Sequence, residues 1–170
     1  LPDQKEGFDA YCRKIEEIIR KEGVDIFIPV ASPSAVYFDA RLKSRLEPRV
    51  SIFHFDEETL SILDDKFQMC VAAKRMGLSA PEVHLITGLK DFEEVGLGKN
   101  KKKYILKSVD YDPVGRLNRP LLPFSGFEEY IGKHEITSEH PWVLQEYVEG
   151  KEFCTHSVVQ NGRIVLHCCC

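Results

Sequence analysis

Lys107 stands in the run Tyr104-Ile-Leu-Lys-Ser-Val109, whose alternation predicts a β-strand with Ile105, Lys107 and Val109 on one face. An unpaired ammonium buried between β-branched side chains costs several kcal/mol, so Lys107 either reaches water or meets an anion. Three further cations bear on that choice. Lys66 follows Asp64 and Asp65 at the start of a helical pattern, where a surface pairing with either acid explains it equally well. Arg116 and Arg119 lie in the loop from Asp110 to Pro123; guanidinium forks suit phosphate oxygens, and two ordinary surface arginines fit the same pattern. No convincing Ser/His/Asp or Cys/His set for nucleophilic catalysis is present.

A second constellation lies near the C-terminus. A two-residue turn at Asn161-Gly162 would pair Gln160 with Arg163, placing His156 opposite His167 and Cys154 opposite Cys169. All four would share one face and are zinc-ligand types. The two pairs would sit about 7 Å apart along the strands, whereas structural zinc sites usually draw ligands from tight turns; packed cysteines and satisfied histidines are the alternative. Ser32-Pro33-Ser34, after an apolar strand and before a helix, reads as an anion-attracting helix start or as ordinary capping by Ser32.

The elements that must position these residues follow from periodicity. Phe8, Tyr11, Ile15, Ile18 and Ile19 predict an amphipathic helix ending near Gly23. Asp25 to Val30 and Val50 to Phe55 read as strands, with a helix from Ser32 to about Leu46 between them, an order that favours parallel pairing. Asp56 should cap a helix over 57–63, and a second helix should run from Asp64 to Gly77. Strands over 82–86 and 142–148, short helices near 89–95 and 126–133, and a closing hairpin over 152–170 complete the pattern. The basic loop from Gly96 to Lys103 reads as a solvated turn.

The chain has 170 residues, 43% hydrophobic and 29% charged, enough for one large domain or two small ones. Its net charge of −4, with no long basic tract, argues against broad nucleic-acid binding, so any phosphate must be held by a few placed cations. No apolar run approaches the ~20 residues that span a bilayer, and no signal-peptide pattern opens the chain. Six Cys, three of them consecutive, make a poor disulfide framework and suit reduced thiols in the cytoplasm. Leu1 in place of Met, and a strand still running at Cys170, read as a piece of a longer protein.

Taken in order, Asp65-Lys66 opening a helix, Gly77 followed by Pro81, Lys107 on a strand, a loop, and Leu144-Gln-Glu-Tyr-Val-Glu-Gly-Lys-Glu-Phe153 resemble the N-terminal part of an ATP-grasp protein. The similarity is to carboxylate–amine ligases such as carbamoyl-phosphate synthase and D-alanine–D-alanine ligase. It implies a mixed α/β and α+β fold: a small parallel pre-ATP-grasp domain over 1–63, the first ATP-grasp lobe over 64–148, and the opening hairpin of the second lobe over 149–170. It also implies ATP contacts. Lys66 and Lys107 would reach the α- and β-phosphates, Gln145 the adenine edge, and Glu152 the ribose hydroxyls. The Glu146 carbonyl and the Val148 N–H would hydrogen-bond the base. Arg116 and Arg119 would clamp phosphate where many relatives use a Gly- or Ser-rich loop.

The implied reaction converts a small-molecule carboxylate to an acylphosphate that an amine attacks, with Mg²⁺ as companion to ATP. The Mg²⁺ ligands are expected beyond Cys170, so these residues alone should not turn ATP over. Two other functions fit the sequence: a non-catalytic ATP-grasp-like nucleotide-binding or regulatory protein, and a zinc-binding module on the terminal hairpin. Neither a nucleic-acid nor a membrane partner is expected.

Overall fold

A computed structural model of the chain describes residues 7–30, 35–46, 48–99, 101–109, 112, 115 and 119–169. Helix α1 (Phe8–Glu22) buries Tyr11, Cys12 and Ile15, one stripe of its surface. It ends where predicted: Gly23 adopts φ 64°, ψ 45°, and its N–H donates to the Ile19 carbonyl. Strand β1 (Ile26–Phe27) pairs parallel with β2 (Ser51–Ile52), with α2 (Val36–Leu46) as the crossover. The first core gathers Tyr11, Cys12, Ile15, Leu42, Leu46, Val50 and Ile52, with Phe38 edge-on to the rings of Phe8 and Tyr11, each at 5.5 Å. Both strands are shorter than their apolar runs. Pro29 has no N–H to extend β1, and Ile28 and Val30 stand exposed beyond it. Ser32-Pro33-Ser34 lies outside the described residues.

Asp56 caps α3 (Glu57–Asp64), its Oδ1 accepting from the Thr59 N–H at 2.8 Å. The helix expected over 64–77 starts two residues later. Asp65 is extended (φ −80°, ψ 114°) and its carboxylate accepts from the Phe67 and Gln68 amides at 2.7 and 2.9 Å, so α4 runs Lys66–Arg75. Lys66 is thereby fixed in the first turn.

A three-stranded antiparallel sheet follows, in the order β3 (Val83–Ile86), β5 (Trp142–Glu146), β4 (Tyr104–Ser108). One face carries Ile86, Tyr104, Leu106 and Leu144, and closes a second core with Phe92 of α5 (Leu89–Val95), Ile131 of α6 (Phe127–Gly132) and Leu122. Tyr104 and Leu122 exchange main-chain bonds of 2.9 and 2.8 Å, anchoring the end of the 110–123 loop to β4. The register sends Val83, Leu85, Ile105, Lys107, Val143 and Gln145 to the other face, as the alternation predicts for Ile105 and Lys107.

Strands β6 (Thr155–Gln160) and β7 (Arg163–Cys169) form the closing hairpin. Asn161 (φ 50°) and Gly162 (φ 74°) make the predicted turn. The zinc face does not survive. A register break at Val158/Val159 leaves Val165 unopposed and shifts everything beyond it by one residue. His156 therefore pairs with Cys168, and Ser157 with His167, which puts His156 and His167 on opposite faces. Among the described residues no group of three His, Cys, Asp or Glu side chains could hold a metal ion.

Candidate functional site

The site begins with the alternation of β4. With Tyr104 and Leu106 committed to the core, Lys107 has only the opposite face, where it is half-buried and its Nζ donates to Gln145 Oε1 at 2.8 Å. Gln145 is neutral, so the bond orients the ammonium without cancelling its charge. Lys66, fixed by the Asp65 cap, donates from Nζ to the Val109 carbonyl at 2.9 Å, just past the end of β4. Burial holds the Lys107 amine below its ordinary value, Arg119 and then Lys66 press it lower, and Cys70 of α4 acts the other way. Among the described residues Lys107 forms no ion pair. Arg119 and Lys66 thus lie near enough to act electrostatically on Lys107, and Gln145 holds its ammonium. Arg116 lies outside the described residues.

On the same face Gln145 lies between Val83 and Ile105, and a fully buried Val143 lies between Leu85 and Lys107. Val83 and Ile105 are half-buried, and Leu85 is exposed. Sequence reasoning missed Val83 and Leu85, although the period of two through β3 marked them.

At the other end of β5 the predicted base-binding segment leaves the sheet. The Tyr147 amide donates to the Lys103 carbonyl at 2.7 Å, and Val148 follows, exposed, on the wall of an open cavity of about 650 Å³ that Pro81, Lys102 and Glu149 also line. The Glu146 side chain turns toward β3, where Oε2 accepts from the Glu82 amide at 3.0 Å and Oε1 lies 3.3 Å from Lys102 Nζ. The Glu82 amide and Lys102 hold the Glu146 carboxyl below its usual range, and Lys102 followed by His84 does the same for Glu82. Lys102 belongs to the loop read as a solvated turn, and its partners, distant in sequence, left no local signal. Glu152 is exposed between β5 and β6 and makes no hydrogen bond or ion pair with another described residue.

In the 110–123 loop Asp112 Oδ1 accepts from the Gly115 amide at 2.8 Å. A Cβ at position 115 would run into Asp112 Oδ2, so that carboxylate would have to shift to admit one. Arg119 and Asp112 both act electrostatically on Tyr130, the arginine lowering and the acid raising a phenol that burial pushes up.

No protein-family model matches the chain, and no curated protein does. A solved structure, the N5-carboxyaminoimidazole ribonucleotide synthetase of Thermus thermophilus, is similar at a TM-score of 0.54 and 16% identity, over 89% of this chain and 43% of that one. The mixed α/β architecture, with its small parallel sheet and its antiparallel sheets, is similar to part of that enzyme's fold. At that identity the likeness extends to architecture alone, and the chain spans less than half the length of its neighbour.

Proposed function

We propose that the chain is the ATP-holding part of an ATP-dependent ligase that activates a carboxylate as an acylphosphate for attack by an amine. The observation that carries this is the half-buried Lys107 ammonium, held by a neutral acceptor and repelled by nearby Arg119 and Lys66. A fold that gathers like charges around a half-buried amine is best explained by an anion that offsets them. A nucleoside triphosphate supplies about four negative charges to offset them. The resemblance to ATP-grasp proteins and the likeness to the synthetase's architecture support the same reading.

In this scheme Lys107 and Lys66 bind the α- and β-phosphates and Arg119, with Arg116, the outer end. Gln145 touches the adenine edge while orienting Lys107. The Glu146 carbonyl accepts from the exocyclic amine, the Val148 N–H donates to a ring nitrogen, and Glu152 takes the ribose hydroxyls. Positioning and charge neutralisation then do most of the work of phosphoryl transfer. The described residues offer no set of ligands for Mg²⁺, so no step is assigned to it within them.

Calorimetric titration with ATP and AMP tests the reading. Since the phosphates carry the charge, ATP should bind at least about tenfold more tightly than AMP. Equal affinities would overturn it.

A further inference from the structure

The end of the β3–β5 ladder is irregular in an informative way. Glu82 lies opposite Glu146, one step beyond the Val83–Gln145 pair. Two residues so placed ordinarily exchange two main-chain bonds. One is made: the Glu146 amide donates to the Glu82 carbonyl at 2.8 Å. The return donor, the Glu82 amide, goes instead to the Glu146 carboxylate at 3.0 Å, which leaves the Glu146 carbonyl outside the ladder.

That carboxylate is held in place. Lys102 Nζ lies 3.3 Å from Glu146 Oε1 and also binds Glu82 Oε2, while Glu82 Oε1 meets His84 Nε2 at 2.7 Å. One ammonium therefore keeps two carboxylates together. Without it they repel, the Glu146 side chain swings away, and the Glu82 amide is free to return to the Glu146 carbonyl and complete the pair.

We infer that Lys102 is a positioning residue for base recognition: through the Glu146 carboxylate it keeps the Glu146 carbonyl available to the exocyclic amine of an adenine base. The inference rests on the nucleotide reading above and adds a determinant of base preference outside the ligand's own contacts. Lys102 lines the same cavity as Val148, and its ammonium is engaged by the Glu82 and Glu146 carboxylates. On this inference its effect should fall on the base rather than on the phosphates, which would separate it from Lys107 and Lys66.

The test titrates the unsubstituted chain, Lys102→Met, Lys102→Arg and Glu146→Val with three probes: ATP, inosine triphosphate and inorganic triphosphate. Inosine triphosphate carries a carbonyl where ATP has its exocyclic amine. The unsubstituted chain should prefer ATP to inosine triphosphate. In Lys102→Met ATP affinity should fall roughly five- to tenfold, the ratio of the two nucleotides should approach one, and affinity for inorganic triphosphate should hold. Lys102→Arg should restore most of the preference. Glu146→Val, which deletes the intercepting carboxylate directly and suits a strand, should lose the preference as Lys102→Met does. An ATP preference that survives both Lys102→Met and Glu146→Val overturns the inference while leaving the nucleotide reading intact. So does a Lys102→Met loss that is equal for ATP and inorganic triphosphate. If the unsubstituted chain binds no ATP, the nucleotide reading fails and this inference with it.

Discussion

Replacing Lys107 with methionine should stabilise the chain and cripple nucleotide binding at once. Methionine keeps most of the length of the lysine stem and discards the charge. In the fold that charge is opposed by burial and by Arg119 and Lys66, and its only hydrogen bond among described side chains is to a neutral amide. After discounting for solvent over a half-exposed group, relief of those costs is worth about 2 kcal/mol. Loss of the Gln145 bond takes back about 1 kcal/mol. The net gain of about 1 kcal/mol corresponds to a rise of about 3 °C in Tm for a chain of this size.

The gain has a pH signature. A lysine whose folded pKa is depressed strains the fold fully below that value, and the strain fades as pH climbs through it toward 10.5. The advantage of Lys107→Met should therefore be largest near neutral pH and shrink in alkali. Binding should move the other way. A charge-assisted contact to phosphate contributes about 1.5–3 kcal/mol, so ATP affinity should fall roughly 10- to 150-fold. Thermal unfolding and calorimetric titration measure the two effects on one preparation. A variant that melts lower than the parent and binds ATP equally well would refute the reasoning.

Asp39, buried with the Tyr11 hydroxyl donating to Oδ1 at 2.6 Å, has a pKa raised above its ordinary 3.8, chiefly by burial. Its contribution is thus most favourable below pH 3.8 and is lost as pH rises through the folded value, so Asp39→Asn should raise Tm at pH 7 more than at pH 4. Asp65→Ala removes the acceptor for the Phe67 and Gln68 amides; it should cost about 1 kcal/mol in thermal unfolding and weaken ATP binding by displacing Lys66. Zinc titration monitored by calorimetry should show no stoichiometric site on the hairpin, because its His and Cys residues are divided between two faces. The 170 residues should show no enzyme-like ATP hydrolysis in a phosphate-release assay, and rapid turnover would contradict placing the metal ligands elsewhere.

What could be read from the chain was local. The Gly23 terminus, the Asp56 cap, the Asn161-Gly162 turn and the side of β4 that Lys107 occupies are all set within a few residues of themselves. The strand ends were not legible, because Asp25–Val30 advertises burial throughout while pairing stops near Pro29. Nor was the hairpin register: Ile164-Val-Leu166 is uniformly apolar, so no alternation marks Val165 as the extra residue. The three cations were legible singly, but their nearness depends on α4 lying beside β3 and on the anchor at Leu122. The Lys102–Glu82–Glu146 network joins three stretches far apart in sequence, and nothing near any one of them announces the other two.

The closing hairpin has both faces bare, with Val159, Ile164, Val165 and Leu166 all exposed. A lone two-stranded ribbon is only marginally stable in water, so amide exchange should be faster there than in the two cores, and a protease should cut there before it cuts them. The lobe that holds Lys66, Lys107 and Arg119 has its own interior and should outlast that digestion. On the proposed reading, cleavage there should disturb the neighbouring Glu152 and its hold on the ribose before it touches the phosphate cations, which makes timed proteolysis a way of separating the two proposed contacts without changing a residue.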